Sequence, residues 1–390
     1  MDSGFALQGA SRRLPWVDTA KAVGIVLMFY GHVVQSRAGG DNASAIDQLR
    51  LIYAFHMPLF FVLAGLFFHP VAALLPRLRT LARLRLVPVL FFGLLLLPLW
   101  SLSAVKHHFA WWYYAQPLGA AYLRGMPELN WVTWFLVCMF VCEAMALVLL
   151  PRLQHVAARL AFAAACIVGG VFLCNHGDAL GGWVAQVSRI WFLREAIVAL
   201  GFYTIGQVLR PFLQQLATHR GIALVVTLAC SSALLATYRL NHPHDAQAVM
   251  MAAAQHGDAL GFAFSALAGT LAVIGLAMLL PATRAAAWIG RNSLPLMGLN
   301  GVFFHFFNPK LAESIALADT PLAVTAYAAA ISAASLVACV PLVALLNRFV
   351  PQFIGKSRPP AAASATGTST GTSTGTSTET GPAEGASPAA

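Results

Sequence analysis

The chain has 390 residues, of which 59% are hydrophobic and only 10% are charged, and its mean hydropathy is +0.72. A soluble protein needs a larger polar share to cover its surface, so this composition excludes a soluble globular domain and predicts an all-α polytopic membrane protein. Arginines near an anionic inner leaflet explain the net charge of +10, so nucleic acid is not an expected partner.

Apolar stretches close to the twenty residues that cross a bilayer predict ten transmembrane helices. They cover residues 17–36, 51–69, 87–105, 131–151, 157–174, 190–210, 222–239, 259–281, 290–307 and 321–346. With the N-terminus inside, 16 of the 24 Lys and Arg residues fall on the cytoplasmic side, as the positive-inside rule requires. The sequence therefore predicts ten spans with both termini in the cytoplasm.

The first predicted helix, WVDTAKAVGIVLMFYGHVVQS, carries a polar face. Lys21 and His32 are eleven residues apart, which puts them on one face and about 16 Å apart along the helix axis. Asp18 and Gln35 fall near the same stripe. Such a face must look into protein or water, because polar groups are costly in lipid. Asp18 and Lys21 alternatively form an interfacial pair where the helix enters the membrane.

The second helix contains FHMPLFFVLAG, residues 55–65. His56 is expected at a depth similar to that of His32, so both imidazoles can face one cavity. Pro58 removes a backbone donor, leaves the carbonyl of Ala54 without its helical partner and is expected to kink the helix. One buried histidine is commonly structural, but two at matched depth beside a polar face favour a catalytic site.

Further polar residues occur along the chain. The loop RLRTLARLR provides Arg77, Arg79, Arg83 and Arg85, which either bind an anionic ligand or only set the topology. Arg194 and Glu195, at the outer start of the sixth helix, either contact sugar hydroxyls or form an interfacial ion pair.

The remaining segments carry no predicted chemistry. The six cysteines lie within or at the ends of predicted spans, where packing is the expected role. NHPHD at 241–245 lacks a complete ligand set, so no metal site is predicted. Residues 1–14 form a cytoplasmic segment and residues 15–350 the membrane domain. Residues 351–390, rich in Thr, Gly, Ser, Ala and Pro, are expected to be a disordered cytoplasmic tail.

Several of these segments resemble the membrane-bound acyltransferase-3 superfamily, and most of all its branch of fucose 4-O-acetylase-like, surface-polysaccharide O-acetyltransferases. VDTAKAVGIVLMFYGH and FHMPLFFVLAGLFF match the opening of that family, with Lys21 in place of the usual arginine before His32. NWVTWFLVCMF resembles its Trp-Phe-Leu segment at Trp134, and IGRNSLPLMGLN its Gly-x-x-Ser-Leu segment at Ser293.

The chain departs from the family pattern at one position. Seven residues after Ser293 the family often has a histidine, and here the residue is Asn300, with His305 a turn and a half further on. Either Asn300 serves as a neutral donor or His305 serves from another face.

The resemblance implies that an acyl group, most simply acetyl, moves from cytoplasmic acetyl-CoA or another acyl-CoA to a sugar hydroxyl. The acceptor would be a cell-surface or exported polysaccharide, or its lipid-linked precursor, at the inner (cytoplasmic) membrane. Acyl-CoA is then a co-substrate, with no permanently bound cofactor, and other polysaccharide-assembly proteins are expected partners.

The resemblance also assigns roles to residues. His32 is the expected base, and His56 orients the acceptor, shares the proton or holds a transient acyl group. The expected acyl-CoA ligands are Lys21, Asp18, Arg77, Arg79, Arg83 and Arg85; the expected acceptor contacts are Trp134, Asn300, Arg194 and Glu195.

A transporter, flippase or export-complex component is the alternative function. A transporter commonly shows two related halves, and no second copy of the His32 or His56 segment is seen in the sequence. A flippase or scaffold would leave both histidines unexplained.

Overall fold

The computed structural model describes residues 14–115, 118–241, 243 and 246–356. These residues belong to one compact unit. Residues 1–13 of the predicted cytoplasmic segment, residues 357–390 of the predicted tail 351–390, and His242, His244 and Asp245 lie outside the described residues. The first residues of the predicted tail, Pro351–Ile354, form a 3-10 turn.

The described chain is built from helices, as the sequence predicts. Its α-helices are α1 Pro15–Ala38, α2 Ala43–Tyr53, α3 His56–Gly65, α4 Leu74–Lys106, α5 Leu118–Leu123, α6 Trp134–Leu149, α7 Val156–His176, α8 Gly182–Arg189, α9 Leu193–Leu216, α10 Arg220–Thr237, α11 Ala259–Leu279, α12 Arg284–Arg291, α13 Ser293–Val302, α14 Asn308–Ser314 and α15 Pro321–Phe349. An isolated bridge between Met250 and Gln255 is the only β-type pairing among the described residues.

Nine helical stretches of the described chain are long and apolar enough to cross a membrane. They are Pro15–Ala38, Ala43–Gly65, Leu74–Lys106, Glu128–Arg152, Val156–His176, Gln186–Leu216, Arg220–Thr237, Ala259–Leu279 and Pro321–Phe349. Each contains or overlaps one of the ten predicted spans. The stretches that start at residues 15, 43, 128, 186 and 259 are more than half buried, whereas the other four are less than one third buried. The first five therefore form the interior of the bundle.

The remaining predicted span, residues 290–307, is a broken segment rather than one helix. The predicted span covers the end of α12, α13 and a π-helical turn at Phe303–Phe307. Together with the rest of α12 and with α14 it makes up residues 284–314, here called the broken segment. At one end Gly290 lies against the start of α1, so closely that a Cβ would be 2.2 Å from the carbonyl oxygen of Asp18. At the other end, Arg37 at the end of α1 donates to the carbonyl oxygens of Ala312 and Ile315. The broken segment thus runs along the full length of α1, and its role as the tenth crossing stays a prediction.

The two ends of the described chain lie at the same side of the bundle. Lys356 Nζ donates to the side-chain oxygens of Asn292 and Asn347, at 2.7 Å each. Asn292 follows α12, which packs on the start of α1 at Gly290. The assignment of this side to the cytoplasm stays a prediction.

The second predicted span is interrupted where the proline predicts it. α2 ends at Tyr53 and α3 begins at His56, so the interruption falls at Ala54 and Phe55. Ala54 is the residue whose carbonyl would clash with the ring of Pro58 in a continuous helix. The break makes His56 the first residue of α3.

Reporter fusions test the tenth crossing. Fusions of alkaline phosphatase and of green fluorescent protein after Thr283 and after Asp319 are expected to report opposite sides of the membrane, because the intervening segment spans the same thickness as α1. A fusion after Asn42, between α1 and α2, is expected to agree with Asp319. The same side for Thr283 and Asp319 would show that α12 to α14 enter and leave the membrane on one face.

Candidate active site

His32 lies in the interior of the bundle and is held by the broken segment. Its Nδ1–H donates to the side-chain oxygen of Asn300 at 2.5 Å, and its ring packs on Phe304 with centroids 4.8 Å apart. Because an amide oxygen only accepts, Nδ1 carries the proton of the neutral imidazole and Nε2 keeps its lone pair. The bond joins residues 268 positions apart in the sequence.

His56 is held in a similar way by its own segment of the chain. Its Nδ1–H donates to the carbonyl oxygen of Ile52 at 3.1 Å, and its ring lies 4.6 Å from that of Tyr53. The Tyr53 hydroxyl donates to Gln35 at 2.8 Å. Nε2 of His56 therefore also keeps its lone pair, and both histidines line one cavity.

Three cavities lie in a row along α1. The cation cavity, with a volume of about 290 Å³, is lined by Lys21, Arg77 and Arg85. The central cavity, about 90 Å³, shares the side chains of Arg85 and Ser293 with it and reaches His32. The histidine cavity, about 60 Å³, contains both His32 and His56. His32 thus stands between the central and histidine cavities, and Lys21 stands at the far end of the row.

The predicted arginine loop is wrong in its local structure, because these residues form the first turns of α4, which begins at Leu74. Arg77, Leu81 and Arg85 are spaced four residues apart, so they share one helix face, and all three line the cation cavity. Arg79 and Arg83 lie on an exposed face and do not line it. The structure therefore brings two of the four arginines to Lys21.

Lys21 is partly buried at the wall of the cation cavity. Its ammonium lies 5.9 Å from the centre of the Phe67 ring, a favourable cation–π distance. Within the described chain the ion pairs closer than 4.0 Å do not include one between Lys21 and Asp18. The aromatic ring is the contact that the structure shows for this charge.

Glu143 is a site residue that the sequence reasoning missed. Arg85 Nε and Nη2 donate to its two carboxylate oxygens at 2.8 Å each. Arg85 lines both the cation cavity and the central cavity, and Glu143 lines the cation cavity. A single acidic residue within an otherwise apolar predicted span was the available signal, since such residues are costly in a membrane unless paired.

Trp134 and Asn300 both lie near His32. Trp134 is buried and lines both the central and the histidine cavity. Asn300 is buried and holds His32. His305 instead accepts a hydrogen bond from the backbone amide of Trp131 at 3.1 Å and packs against Trp100, so Asn300 is the one that reaches His32.

Arg194 and Glu195 lie in a separate cavity of about 440 Å³, here called the Glu195 cavity. They do not pair with each other within the described ion pairs. Arg194 pairs with Asp178 at 3.0 Å, and Arg189 pairs with the same carboxylate. The hydrogen bond from Arg189 and the nearby charge of Arg194 hold the pKa of Asp178 below its usual range. Trp131 and Ala252 line both this cavity and the histidine cavity.

The arrangement is suited to proton transfer between two ligands. A neutral imidazole with a free Nε2 can take a proton from a hydroxyl. A ligand bound in the cation cavity and one bound beyond the histidine cavity would meet at His32.

The comparisons with known proteins agree with this chemistry. The family model of the acyltransferase-3 family, described as an acyltransferase domain, matches residues 14–344. No curated protein and no solved structure matches the chain.

Removal of one partner tests the Arg85–Glu143 pair. Glu143→Gln is expected to lower the free energy of unfolding by roughly 2 kcal/mol, because it leaves the guanidinium without its counter-charge. Breaking a fully buried pair costs about 3–5 kcal/mol. The smaller value is expected here because the Arg85 side chain is 27% exposed. Thermal denaturation of the purified protein measures the change. The double variant Arg85→Met with Glu143→Leu is expected to lose less stability than the sum of the losses of Arg85→Met alone and Glu143→Leu alone. Simple additivity would show that the pair is not coupled.

Proposed function

The chain belongs to the acyltransferase-3 family and is a membrane acyltransferase, and we propose that it is an O-acyltransferase of the surface-polysaccharide branch. It takes an acyl group, most simply acetyl, from cytoplasmic acyl-CoA. It passes this group to a sugar hydroxyl of a cell-surface or exported polysaccharide, or of its lipid-linked precursor, at the inner membrane. The observation that carries the proposal is the row of cavities in which His32 stands between the central and histidine cavities.

The cation cavity suits the donor. Coenzyme A carries phosphates, and Lys21 and Arg77 offer charges at its wall, where charge-assisted hydrogen bonds to phosphate are strong. Arg85 is already neutralised by Glu143. The binding of a donor here would direct its thioester toward the central cavity.

The size of the central cavity favours a short acyl group. Its volume of about 90 Å³ corresponds to roughly three water molecules at about 30 Å³ each. The cavity wall is mostly apolar, and Arg85, its cation, is paired, so a second carboxylate on the acyl group would lack a partner. Acetyl fits this wall better than succinyl.

His32 then acts as a general base. Its Nε2 takes the proton of the acceptor hydroxyl as the oxygen attacks the thioester carbonyl, and a new C–O bond forms. The C–S bond breaks, and the imidazolium returns the proton to the departing thiolate. Asn300 keeps Nδ1 protonated throughout, in the way that an acidic partner fixes the tautomer of a catalytic histidine. His56, in the same cavity, positions the acceptor hydroxyl.

Arg85 and Ser293 are the further polar side chains on the wall of the central cavity. Both are donors, because the pair with Glu143 uses Nε and Nη2 of Arg85 and leaves Nη1 for another acceptor. A carbonyl oxygen gains negative charge during acyl transfer. Donors fixed in advance around such an oxygen lower the barrier. We assign them to the thioester carbonyl.

The O-acyl content of the cell's polysaccharide tests the proposal. Proton NMR before and after mild alkali is expected to show loss of an acyl signal in a deletion strain, restored by the wild-type protein. His32→Ala is expected to restore none, because the base is gone, and His56→Ala at most a small part. His219→Ala, an exposed histidine between α9 and α10, is the matched control and should restore the full signal. Unchanged acylation in the deletion strain, with an altered amount of polymer, would instead indicate export or transport.

Variants of Lys21 and of the arginines of α4 test the donor site. Lys21→Ala and Arg77→Ala are each expected to raise the KM for acetyl-CoA about tenfold with little change in kcat, because a hydrogen bond to a charged group contributes roughly 1.5–3 kcal/mol. Arg79→Ala and Arg83→Ala, on the exposed face of the same helix, should leave this KM unchanged. Equal effects of all three arginines would point to a general surface potential and not to a site.

A further inference from the structure

The Glu195 cavity opens at the opposite end of the bundle from Lys21. Its walls come from the start of α9 and from the segment 252–257. Arg50 of α2 donates to the carbonyl oxygen of Gln247 at 2.7 Å, which places the neighbouring loop at the end of α1 away from Lys21. The volume of about 440 Å³ is within the 300–1,000 Å³ typical of small-molecule sites.

Two charged side chains in this cavity have buried atoms without partners. Oε2 of Glu195 and Nε of Arg194 make no hydrogen bond to any described residue, although the two side chains belong to residues that are only 6% and 4% exposed. Buried polar atoms in native proteins are nearly always paired. Both residues line the cavity, so a ligand at this wall that offers hydrogen bonds of both kinds would supply the missing acceptor and donor.

The facing wall is a fixed loop that carries His256. Asn241 Nδ2 donates to the carbonyl oxygen of His256 at 2.8 Å, and its oxygen accepts from the Asp258 amide. Asn175 Nδ2 donates to the carbonyl of Gly257, a residue with φ of +74°. Burial lowers the pKa of His256 to about 4, so its imidazole is neutral and offers one donor and one acceptor.

The formal charges of the side chains that line the cavity add up to zero. Its wall has two arginines, Arg189 and Arg194, and two acids, Asp178 and Glu195. No excess charge of either sign is left to select an ionic ligand. Recognition therefore depends on hydrogen bonds and on the ring of Trp131, which lies at the boundary with the histidine cavity.

We propose that the Glu195 cavity binds one sugar unit of the acceptor through its hydroxyl groups and presents a hydroxyl of that unit or its neighbour to His32. Glu195 accepts from two hydroxyls, Arg194 and His256 complete the polar wall, and Trp131 supplies an apolar face for the ring. This inference rests on the proposed function and adds to it the place and chemistry of acceptor recognition.

Glu195→Gln is the variant that isolates this role, since it keeps the shape of the side chain and removes its charge. Protein in nanodiscs is supplied with radiolabelled acetyl-CoA and with oligosaccharides cut from the strain's own polysaccharide after mild alkaline deacylation. We expect the KM for the oligosaccharide to rise tenfold or more, while the KM for acetyl-CoA changes less than about twofold. Gln214→Ala, on an exposed part of the same helix, is the control and should change neither.

The melting temperature separates binding from stability. A buried carboxylate with one unpartnered oxygen is unfavourable for folding, so Glu195→Gln should melt at the same temperature as wild type or higher. A lower melting temperature with an unchanged oligosaccharide KM would overturn the inference and leave Glu195 with a structural role.

A binding measurement distinguishes this inference from the proposed function. Fluorescence anisotropy measures the binding of a labelled oligosaccharide to two proteins that cannot turn over. One carries His32→Ala alone, and the other carries His32→Ala together with Glu195→Gln. Transfer by wild type with equal binding by the two proteins would overturn the cavity assignment alone. Binding that depends on Glu195 without any transfer by wild type would support the sugar site and overturn the proposed reaction. The absence of both binding and transfer would overturn the cavity assignment and the proposed reaction together.

Discussion

The cost of polar groups in lipid is the constraint on which the rest of this structure depends. Lys21, His32, Arg85 and Glu143 all belong to membrane-spanning segments, and each must find protein or water because the hydrocarbon offers neither hydrogen bonds nor solvation. The bundle meets this requirement by turning them inward. The row of cavities is the space that they enclose, so the feature that makes the fold possible also provides a place for chemistry.

The broken segment α12–α14 is essential to that space. A continuous helix here would satisfy its own backbone and offer little beyond a smooth packing surface. Gly290 of α12 lies against the backbone of Asp18, and Asn300 of α13 bonds to His32. This segment therefore contacts α1 near its start and again at His32. Irregular backbone within a membrane is tolerated where it is buried in protein or lines a cavity, and this segment does both.

The sequence predicted the elements well and the contacts between them less well. Spans, the polar face of α1 and the break before Pro58 follow from local rules: apolar length, 3.6-residue periodicity and the missing proline donor. The Arg85–Glu143 pair, the choice of Asn300 over His305 and the pairing of Arg194 with Asp178 depend on which helices become neighbours, and no local pattern determines that. The arginines of α4 lie between these cases. Their helical spacing was readable, but the loop assignment hid the fact that only Arg77 and Arg85 share the face toward Lys21.

The narrow passage at His32 has an electrical consequence. The central and histidine cavities have volumes of about 90 Å³ and 60 Å³, too small for coenzyme A or a sugar chain to pass whole. In the proposed chemistry an uncharged acyl group crosses this point, and the proton taken up at Nε2 is returned on the same turnover. A membrane potential contributes about 2.3 kcal/mol per elementary charge and 100 mV, but only to steps that move charge through the field. Acylation by the proposed reaction would therefore proceed equally well in an energised and in a depolarised membrane.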